Sequence, residues 1–160
     1  KERGYDNIHM KILGGGPLKE ELEELASTLK GNVDFVGYAP YEKMAAYLKK
    51  SDILVNSFVK KAPQSIVTKI GDYLAAGKPM INTCSSPEFR GKGETDGFGI
   101  NIEAEDKIIL ADAILELYKD EGKRARMGER ARQIAQEQFD RPYAYRKILE
   151  LMERLMGENA

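Results

Sequence analysis

The sequence has few of the residues that carry disulfide, zinc or membrane chemistry. It contains one cysteine, Cys84, and one histidine, His9. A single cysteine excludes an internal disulfide, and one histidine leaves no zinc-ligand cluster. No apolar run approaches the roughly 20 residues that a membrane-spanning helix needs, and no stretch has the pattern of a signal peptide. We therefore expect a reducing, cytoplasmic location.

The chain also has almost no net charge. Its 25 Lys and Arg residues nearly cancel 26 Asp and Glu residues, which leaves a formal charge of -1 over 160 residues. This balance argues against a general affinity for nucleic acid or for anionic lipid, so a partner must be recognised by a local site.

The length fits one domain, residues 1–160, that buries about two-thirds of the surface of its unfolded chain. The first residues, Lys1 to Asp6 (KERGYD), are typical of a helix end that enters a strand. We expect the sequence to be a piece of a longer, two-domain protein, with a processed N-terminus as the alternative.

Short apolar runs alternate with amphipathic stretches in the first half of the chain. Four runs have the character of buried strands, namely Ile8 to Leu13, Val33 to Val36, Asp52 to Phe58 and Pro79 to Thr83. The stretches between them have helical periodicity, as in Tyr41 to Lys50, which we expect to bury Met44, Tyr47 and Leu48. This alternation predicts an α/β fold with a Rossmann-like parallel sheet and helices on both faces. In such sheets, ligands lie outside the carboxyl ends of the strands.

The second half of the chain is mainly helical. Cys84 to Phe98 is predicted to be a long loop because it is rich in Gly, Ser and charge, and Gly99 to Ile102 is predicted to be an edge strand. Three helices should follow, at Asp106 to Tyr118, Lys123 to Phe139 and Arg141 to Met156. The last is expected to turn its apolar stripe inward, with Tyr145, Ile148, Leu149, Met152 and Leu155.

The stretch from Ala62 to Pro79 carries most of the candidate site chemistry. Its apolar stripe is Ile66, Ile70, Tyr73 and Leu74, and Gly77 followed by Pro79 ends the helix. Thr68, Lys69 and Asp72 lie on another side. A hydroxyl and an ammonium in the first turn suit a phosphate, and a carboxylate one turn later suits ribose hydroxyls. The alternative is that Lys69 and Asp72 pair with each other on a solvated face.

A second candidate is the turn Gly14-Gly15-Gly16-Pro17 that follows the first strand. Glycines at such a turn allow positive φ and close approach of a phosphate to a helix N-terminus. The run does not fit the G-x-G-x-x-G pattern, so a plain turn is the alternative.

Several motifs in order along the chain resemble one protein family. Leu74 to Ile81 (LAAGKPMI), preceded by Asp72-Tyr73, is similar to the E-A-M-A-x-G-x-P-V-I signature of the C-terminal domain of GT-B glycosyltransferases of family 4, the glycosyl transferases group 1. In register with it, the segments ILGGGPL, VDFVGY, Tyr47 to Ser57 and Gly97 to Ile102 resemble further motifs of that family.

The resemblance implies the donor half of a retaining, metal-independent glycosyltransferase. The implied fold is the C-terminal half of GT-B without its first strand and helix, and the implied activity is transfer of a sugar to a growing glycan in polysaccharide or cell-surface glycan biosynthesis. The substrate would be a nucleotide-diphosphate sugar, with no cofactor and no metal. The implied partners are the missing N-terminal domain and a glycan or lipid-linked acceptor. The implied location is cytoplasmic, with the inner face of the membrane as an alternative through the parent protein.

The resemblance also assigns roles to residues. It places Gln64 at the donor sugar, Asp72 at the ribose, and Thr68 and Lys69 at the diphosphate. The backbone around Tyr38 and Ala39 would meet the nucleobase, with the turn that contains Gly14 and Gly16 beside the donor. No catalytic residue falls within the chain, and we do not assign His9 to that role. The usual E-G-F-G opening is absent, since Gln64-Ser65-Ile66-Val67 stands in its place.

Two other functions fit the same motifs. A GT-B epimerase acting on UDP-sugars shares the fold, and a domain with an altered Gln64 loop is also compatible with a non-catalytic binding module. As a glycosyltransferase, the full-length protein should be an enzyme and the fragment alone should be inactive. Apolar surface exposed where the first strand and the partner domain would pack should favour self-association.

Overall fold

The computed structural model describes residues 4–28, 32–62 and 68–157. The chain divides into two compact units, Lys1–Ala46 and Tyr47–Ala160. The predicted strands are present, but they form two parallel sheets, of two and of three strands, instead of one continuous sheet.

The first unit is built on two parallel strands joined by a helix. Strand β1 (Met10–Leu13) pairs with β2 (Val33–Gly37), with Met10 opposite Val33 and Ile12 opposite Phe35. Between them lies α1 (Lys19–Ser27), in which no residue is buried. Lys11 on β1 pairs with Asp34 on β2, and the hydrogen bond and charge of that ammonium hold the pKa of the Asp34 carboxyl below its ordinary value.

Helix α2 (Tyr41–Lys50) continues from the first unit into the second. Its predicted bounds are confirmed, but Met44, Tyr47 and Leu48 are half-buried instead of buried.

The second unit is a three-stranded parallel sheet covered on both faces. Its strands are β3 (Leu54–Asn56), β4 (Met80–Asn82) and β5 (Gly99–Asn101), in the order β3-β4-β5. The connecting helices are α3 (Lys69–Ala75) and α4 (Pro87–Asp96), and the closing elements are α5 (Lys107–Lys119), α6 (Glu121–Ile134), a π-helix (Ala135–Phe139) and α7 (Arg141–Gly157).

Neighbouring residues of β4 point into different cores. Met80 packs with side chains of α3, α4 and α6, including Ile70, Phe89 and Ile134. Ile81 packs with side chains of α5 and α6, including Ala113, Leu117 and Met127. Since successive residues of a strand face opposite sides of the sheet, the helices lie on both faces, as the sequence predicts.

The turn between α3 and β4 is in close contact with α6. Gly77 has φ +68°, and a Cβ added at Gly128 would lie 2.4 Å from the Gly77 carbonyl oxygen. Arg132 donates a hydrogen bond to the carbonyl of Ala75 at the end of α3. These contacts fix the C-terminal end of α3 against α6.

The predicted loop from Cys84 to Phe98 is wrong, because most of it is α4. The Ser86 hydroxyl caps the first turn by accepting from Phe89 N–H, and Pro87 stands at the start of the helix. Phe89 is buried in the core that includes Met80. A Ser-Pro-Glu start is a recognisable helix signal. The glycines within the helix obscured it.

The last helix is present with nearly its predicted bounds, as α7 (Arg141–Gly157), but the prediction that its apolar stripe faces inward is wrong. Its five residues predicted to face inward are between 48% and 61% exposed, namely Tyr145, Ile148, Leu149, Met152 and Leu155. Helical spacing places them on one stripe, but about half of the surface of each of these side chains stays exposed. Ile108 and Ile109 of α5 are exposed as well. The helix predicted for Lys123 to Phe139 is divided, because α6 ends at Ile134 and a π-helix continues to Phe139.

Candidate functional site

The glycine turn and Tyr38 lie at the carboxyl edge of the β1–β2 sheet. Gly14 has φ +103° and donates its N–H to the carbonyl of Gly37, which itself has φ +73°. This bond joins the ends of the two strands. A Cβ added at Gly14 or Gly16 would meet nothing within 4 Å, so open space lies beside the turn. Tyr38 is 91% exposed at the same edge, next to Ala39.

The ammonium of Lys69 lies on two aromatic rings in the second unit. Its Nζ is 5.2 Å from the centroid of the Phe58 ring and 5.7 Å from that of Tyr73. Phe58 follows β3, and Lys69 begins α3, so the contact joins the carboxyl end of the strand to the first turn of the helix. We call this arrangement the aromatic platform, Phe58 and Tyr73.

Burial changes the acid–base properties of the platform residues. Removal from water lowers the pKa of the Lys69 ammonium below its ordinary value and raises the pKa of the Tyr73 phenol. Both shifts favour the neutral form. Lys69 is thus a cation that is only partly compensated, and a nearby anion would restore its ordinary pKa.

Thr68 and Asp72 flank this position on α3. Thr68 has helical backbone angles and makes no capping hydrogen bond, so its hydroxyl is not used to begin the helix. Asp72 lies in the first turn. Gln64, the predicted sugar-binding residue, lies outside the described residues. The structure therefore places Thr68, Lys69 and Asp72 in one unit and the glycine turn, Tyr38 and Ala39 in the other.

Thr83 joins the segment after β3 to the end of β4. Its hydroxyl accepts a hydrogen bond from Phe58 N–H at 2.6 Å and donates one to the Phe58 carbonyl at 3.0 Å. Its own N–H donates to the carbonyl of Asn56 at 3.1 Å. The backbone that carries the Phe58 ring is therefore held on both of its polar groups.

A ladder of three asparagines crosses the carboxyl ends of β3, β4 and β5. Asn56 Nδ2 donates to Asn82 Oδ1 at 2.8 Å, and Asn82 Nδ2 donates to Asn101 Oδ1 at 2.9 Å. Asn101 then donates to the Arg90 carbonyl and to Glu94 on α4. All three amides donate in the same direction, towards α4.

This ladder was not predicted from the sequence, although its signal is present there. Each of the three strands ends in a short apolar run followed by Asn, in the segments LVN, MIN and GIN. In-register pairing of Asn56 with Asn82 and of Asn82 with Asn101 brings the three amides side by side. Thr83 and Phe58 were likewise assigned no role.

The loops after β3 and β5 are also connected. Lys60 N–H donates to the Glu105 carboxylate at 3.1 Å, and Glu105 adopts φ +64°, which is unusual for a residue other than glycine.

Within residues 4–28, 32–62 and 68–157, no group of three or more His, Cys, Asp or Glu side chains is placed to hold a metal ion. In the same ranges, no helix is long and apolar enough to cross a membrane.

Lys69, Asp72 and the ends of β3, β4 and β5 together offer a partly buried cation, a carboxylate three residues further along the helix and a rigid strand edge. This combination suits an anionic ligand that also carries hydroxyls.

Comparison with known proteins gives one family. Residues 1–120 match the family described as glycosyl transferases group 1. The chain is 26% identical over 156 residues to an uncharacterized glycosyltransferase of Methanocaldococcus jannaschii, and that match covers 95% of this chain and 38% of the relative.

Solved structures of low sequence identity share the fold. HepE of Anabaena in complex with UDP superposes with a TM-score of 0.79 at 18% identity, covering 94% of this chain and 42% of that protein. WaaG, a glycosyltransferase involved in lipopolysaccharide biosynthesis, superposes with a TM-score of 0.69 at 19% identity, covering 86% of this chain and 36% of that protein.

These findings confirm the resemblance drawn from the motifs and the α/β fold that it implies. The chain spans less than half the length of each of these relatives. Because the family match extends over most of its residues, the chain belongs to the glycosyl transferases group 1 family.

Proposed function

We propose that this chain is the donor-binding part of a retaining glycosyltransferase that transfers a sugar from a nucleotide-diphosphate sugar to a growing glycan. Its role would be in polysaccharide or cell-surface glycan biosynthesis, with an acceptor held by another part of the protein. HepE, which shares the fold, has been solved with UDP and with UDP-glucose, which supports a uridine diphosphate donor.

The observation that carries this proposal is the partly buried ammonium of Lys69 at the carboxyl edge of the β3–β5 sheet. A cation that has lost water, lies on two rings and has a lowered pKa gains most from an anionic ligand. Ligands of parallel sheets bind at this edge. A diphosphate would supply the anion.

The remaining roles follow the chemistry of the side chains. Lys69 would neutralise charge on the diphosphate, which becomes the leaving group, and Thr68 would add a hydroxyl donor. Asp72 would accept hydrogen bonds from the ribose hydroxyls. Gln64 would contact the sugar. No cofactor or metal is required by these roles.

Titration of the chain with UDP, GDP and ADP by calorimetry tests the proposal. We expect Lys69→Met and Asp72→Asn each to weaken binding of the preferred nucleotide about tenfold or more, because a charged hydrogen bond contributes about 1.5–3 kcal/mol. Lys50→Met is the matched control. Lys50 is exposed, ends α2 and lies before β3, at the amino end of the strand.

The control variant should bind as the unchanged chain does. Equal loss of affinity in Lys50→Met and Lys69→Met would show that only overall charge matters. If none of the three nucleotides binds, the proposed donor site is refuted.

A further inference from the structure

The Thr83 side chain is buried where it serves the backbone of another segment. Thr83 is 8% exposed and directly follows β4. Its single hydroxyl satisfies both polar backbone groups of Phe58, at 2.6 Å to the nitrogen and 3.0 Å to the oxygen. Phe58 lies 25 residues earlier in the chain.

Phe58 needs such a partner because it lies beyond the end of its strand. β3 ends at Asn56, and residues 57–59 have no regular secondary structure. Backbone outside a ladder depends on side chains or water for its hydrogen bonds. The hydroxyl of Thr83 supplies both bonds at Phe58, and the Thr83 N–H donates separately to the carbonyl of Asn56 at the end of β3.

The position of the Phe58 ring determines the surroundings of Lys69. The ring is the nearer face of the aromatic platform, at 5.2 Å from the ammonium. Movement of the Phe58 backbone would move this ring away from Lys69 and admit water to the ammonium.

We propose that Thr83 is a positioning residue for the donor site, which holds Phe58, and through its ring the Lys69 ammonium, in the geometry that receives the diphosphate. This inference rests on the proposed function. Thr83 acts without touching the ligand.

The first test removes the hydroxyl while keeping the shape of the side chain. Thr83→Val removes both hydrogen bonds to Phe58, so we expect UDP affinity to fall about fivefold or more, since a single net hydrogen bond contributes about 1 kcal/mol. The pKa of Lys69, followed by NMR of its Cε–H signals without ligand, should move up towards its ordinary value. Thr83→Ser, which keeps the hydroxyl, should restore both quantities.

A control separates positioning from general destabilisation. Ser86→Ala removes the cap of α4 and costs stability, but it leaves the Thr83 hydroxyl and its two hydrogen bonds to Phe58 in place. It should change neither the Lys69 pKa nor UDP affinity. The inference is overturned if Thr83→Val leaves both quantities unchanged, or if Ser86→Ala alters them as much as Thr83→Val does.

Hydrogen exchange of the unchanged chain gives a test that needs no variant to fold. The Phe58 amide, bonded to the Thr83 hydroxyl, should be protected from exchange. An unprotected Phe58 amide would contradict the hydrogen bond between this amide and the Thr83 hydroxyl. If UDP does not bind but the Lys69 pKa responds to Thr83→Val and is rescued by Thr83→Ser, the proposed function fails while the positioning role stands.

Discussion

Lys69, which we propose contacts the diphosphate, has a cost in stability. Its ammonium loses water in the folded chain. The contacts with the two rings offset part of this desolvation free energy, since a cation–π contact contributes about 0.5–1 kcal/mol at exposed sites. The lowered pKa means that the unfolded chain holds this proton more tightly than the folded chain. The side chain that we propose for the donor site therefore lowers the stability of the folded chain.

This cost predicts a pH dependence. Because the folded pKa of Lys69 is lowered, the penalty is full below that value and disappears as pH rises to the unfolded value of 10.5. We expect the free energy of unfolding of the unchanged chain to rise, relative to that of Lys69→Met, as pH increases towards 10.5. Urea denaturation of both proteins at several pH values measures this difference.

Tyr73 contributes a pH dependence of the opposite sign to the free energy of unfolding. Burial raises the pKa of its phenol, so its contribution is present below the ordinary value of 10.0 and is lost as pH rises through the folded value. Both proteins keep Tyr73, so the part of its contribution that does not depend on Lys69 is common to both and cancels in the difference. A difference that stays constant with pH would contradict the burial of Lys69.

The asparagine ladder carries one unsatisfied atom. Asn56 is 1% exposed, and within the described part of the chain its Oδ1 has no hydrogen-bond partner. The orientation of this amide is determined by its neighbour, because Asn82 Oδ1 already accepts from Cys84 N–H and from Asn56 Nδ2. Asn56 must then present oxygen on its other side. Such an atom is usually met by a buried water.

Helix α6 and the turn before β4 are packed with no room for a side chain at their contact. A Cβ on Gly128 would lie 2.4 Å from the carbonyl oxygen of Gly77, a distance that real Cβ atoms do not reach. This contact sets the position of the C-terminal end of α3, and so that of the helix which carries Lys69 and Asp72.

Gly128→Ala should therefore separate the two elements. We expect it to lower the free energy of unfolding by about 1–3 kcal/mol, as overpacking does. Gly91→Ala in α4 is the matched control, because a Cβ there meets nothing within 4 Å. In an exposed helix, this change should raise stability by about 0.8–1 kcal/mol. Thermal and urea denaturation of the two variants should thus give changes of opposite sign, and equal changes would contradict the close contact.

The molecule as a whole exposes an apolar stripe along α7. Tyr145, Leu149 and Met152 are each more than half exposed. A contiguous apolar surface of this kind is typical of a contact face.

We expect the chain to self-associate through this stripe. Sedimentation velocity over a wide concentration range should show a rising average mass, and Leu149→Glu should reduce it. Glu150→Gln is the control, since it changes a neighbouring residue of the same helix without adding charge to the stripe. A single monomeric species at all concentrations would refute this expectation.

Much of the architecture follows from local sequence patterns. Alternating apolar runs and amphipathic stretches predict four of the five parallel strands and their helices, and GINI predicts the fifth. Cys84 is buried, as expected for a small apolar residue. The errors lie where a local pattern is ambiguous. Glycines within α4 are typical of a loop, and the spacing in α7 reveals a stripe without revealing whether anything covers it.

The sequence by itself determined the family, through the order of its motifs, and the order of the elements, because turn chemistry and periodicity act over a few neighbouring residues. Only the tertiary structure decided how Lys69 is surrounded. The Phe58–Thr83 hydrogen bonds span 25 residues, and the Asn56–Asn82 bond spans 26. Both depend on the register of parallel strands, which is set by the packing of β3 against β4 and by the helices on each face.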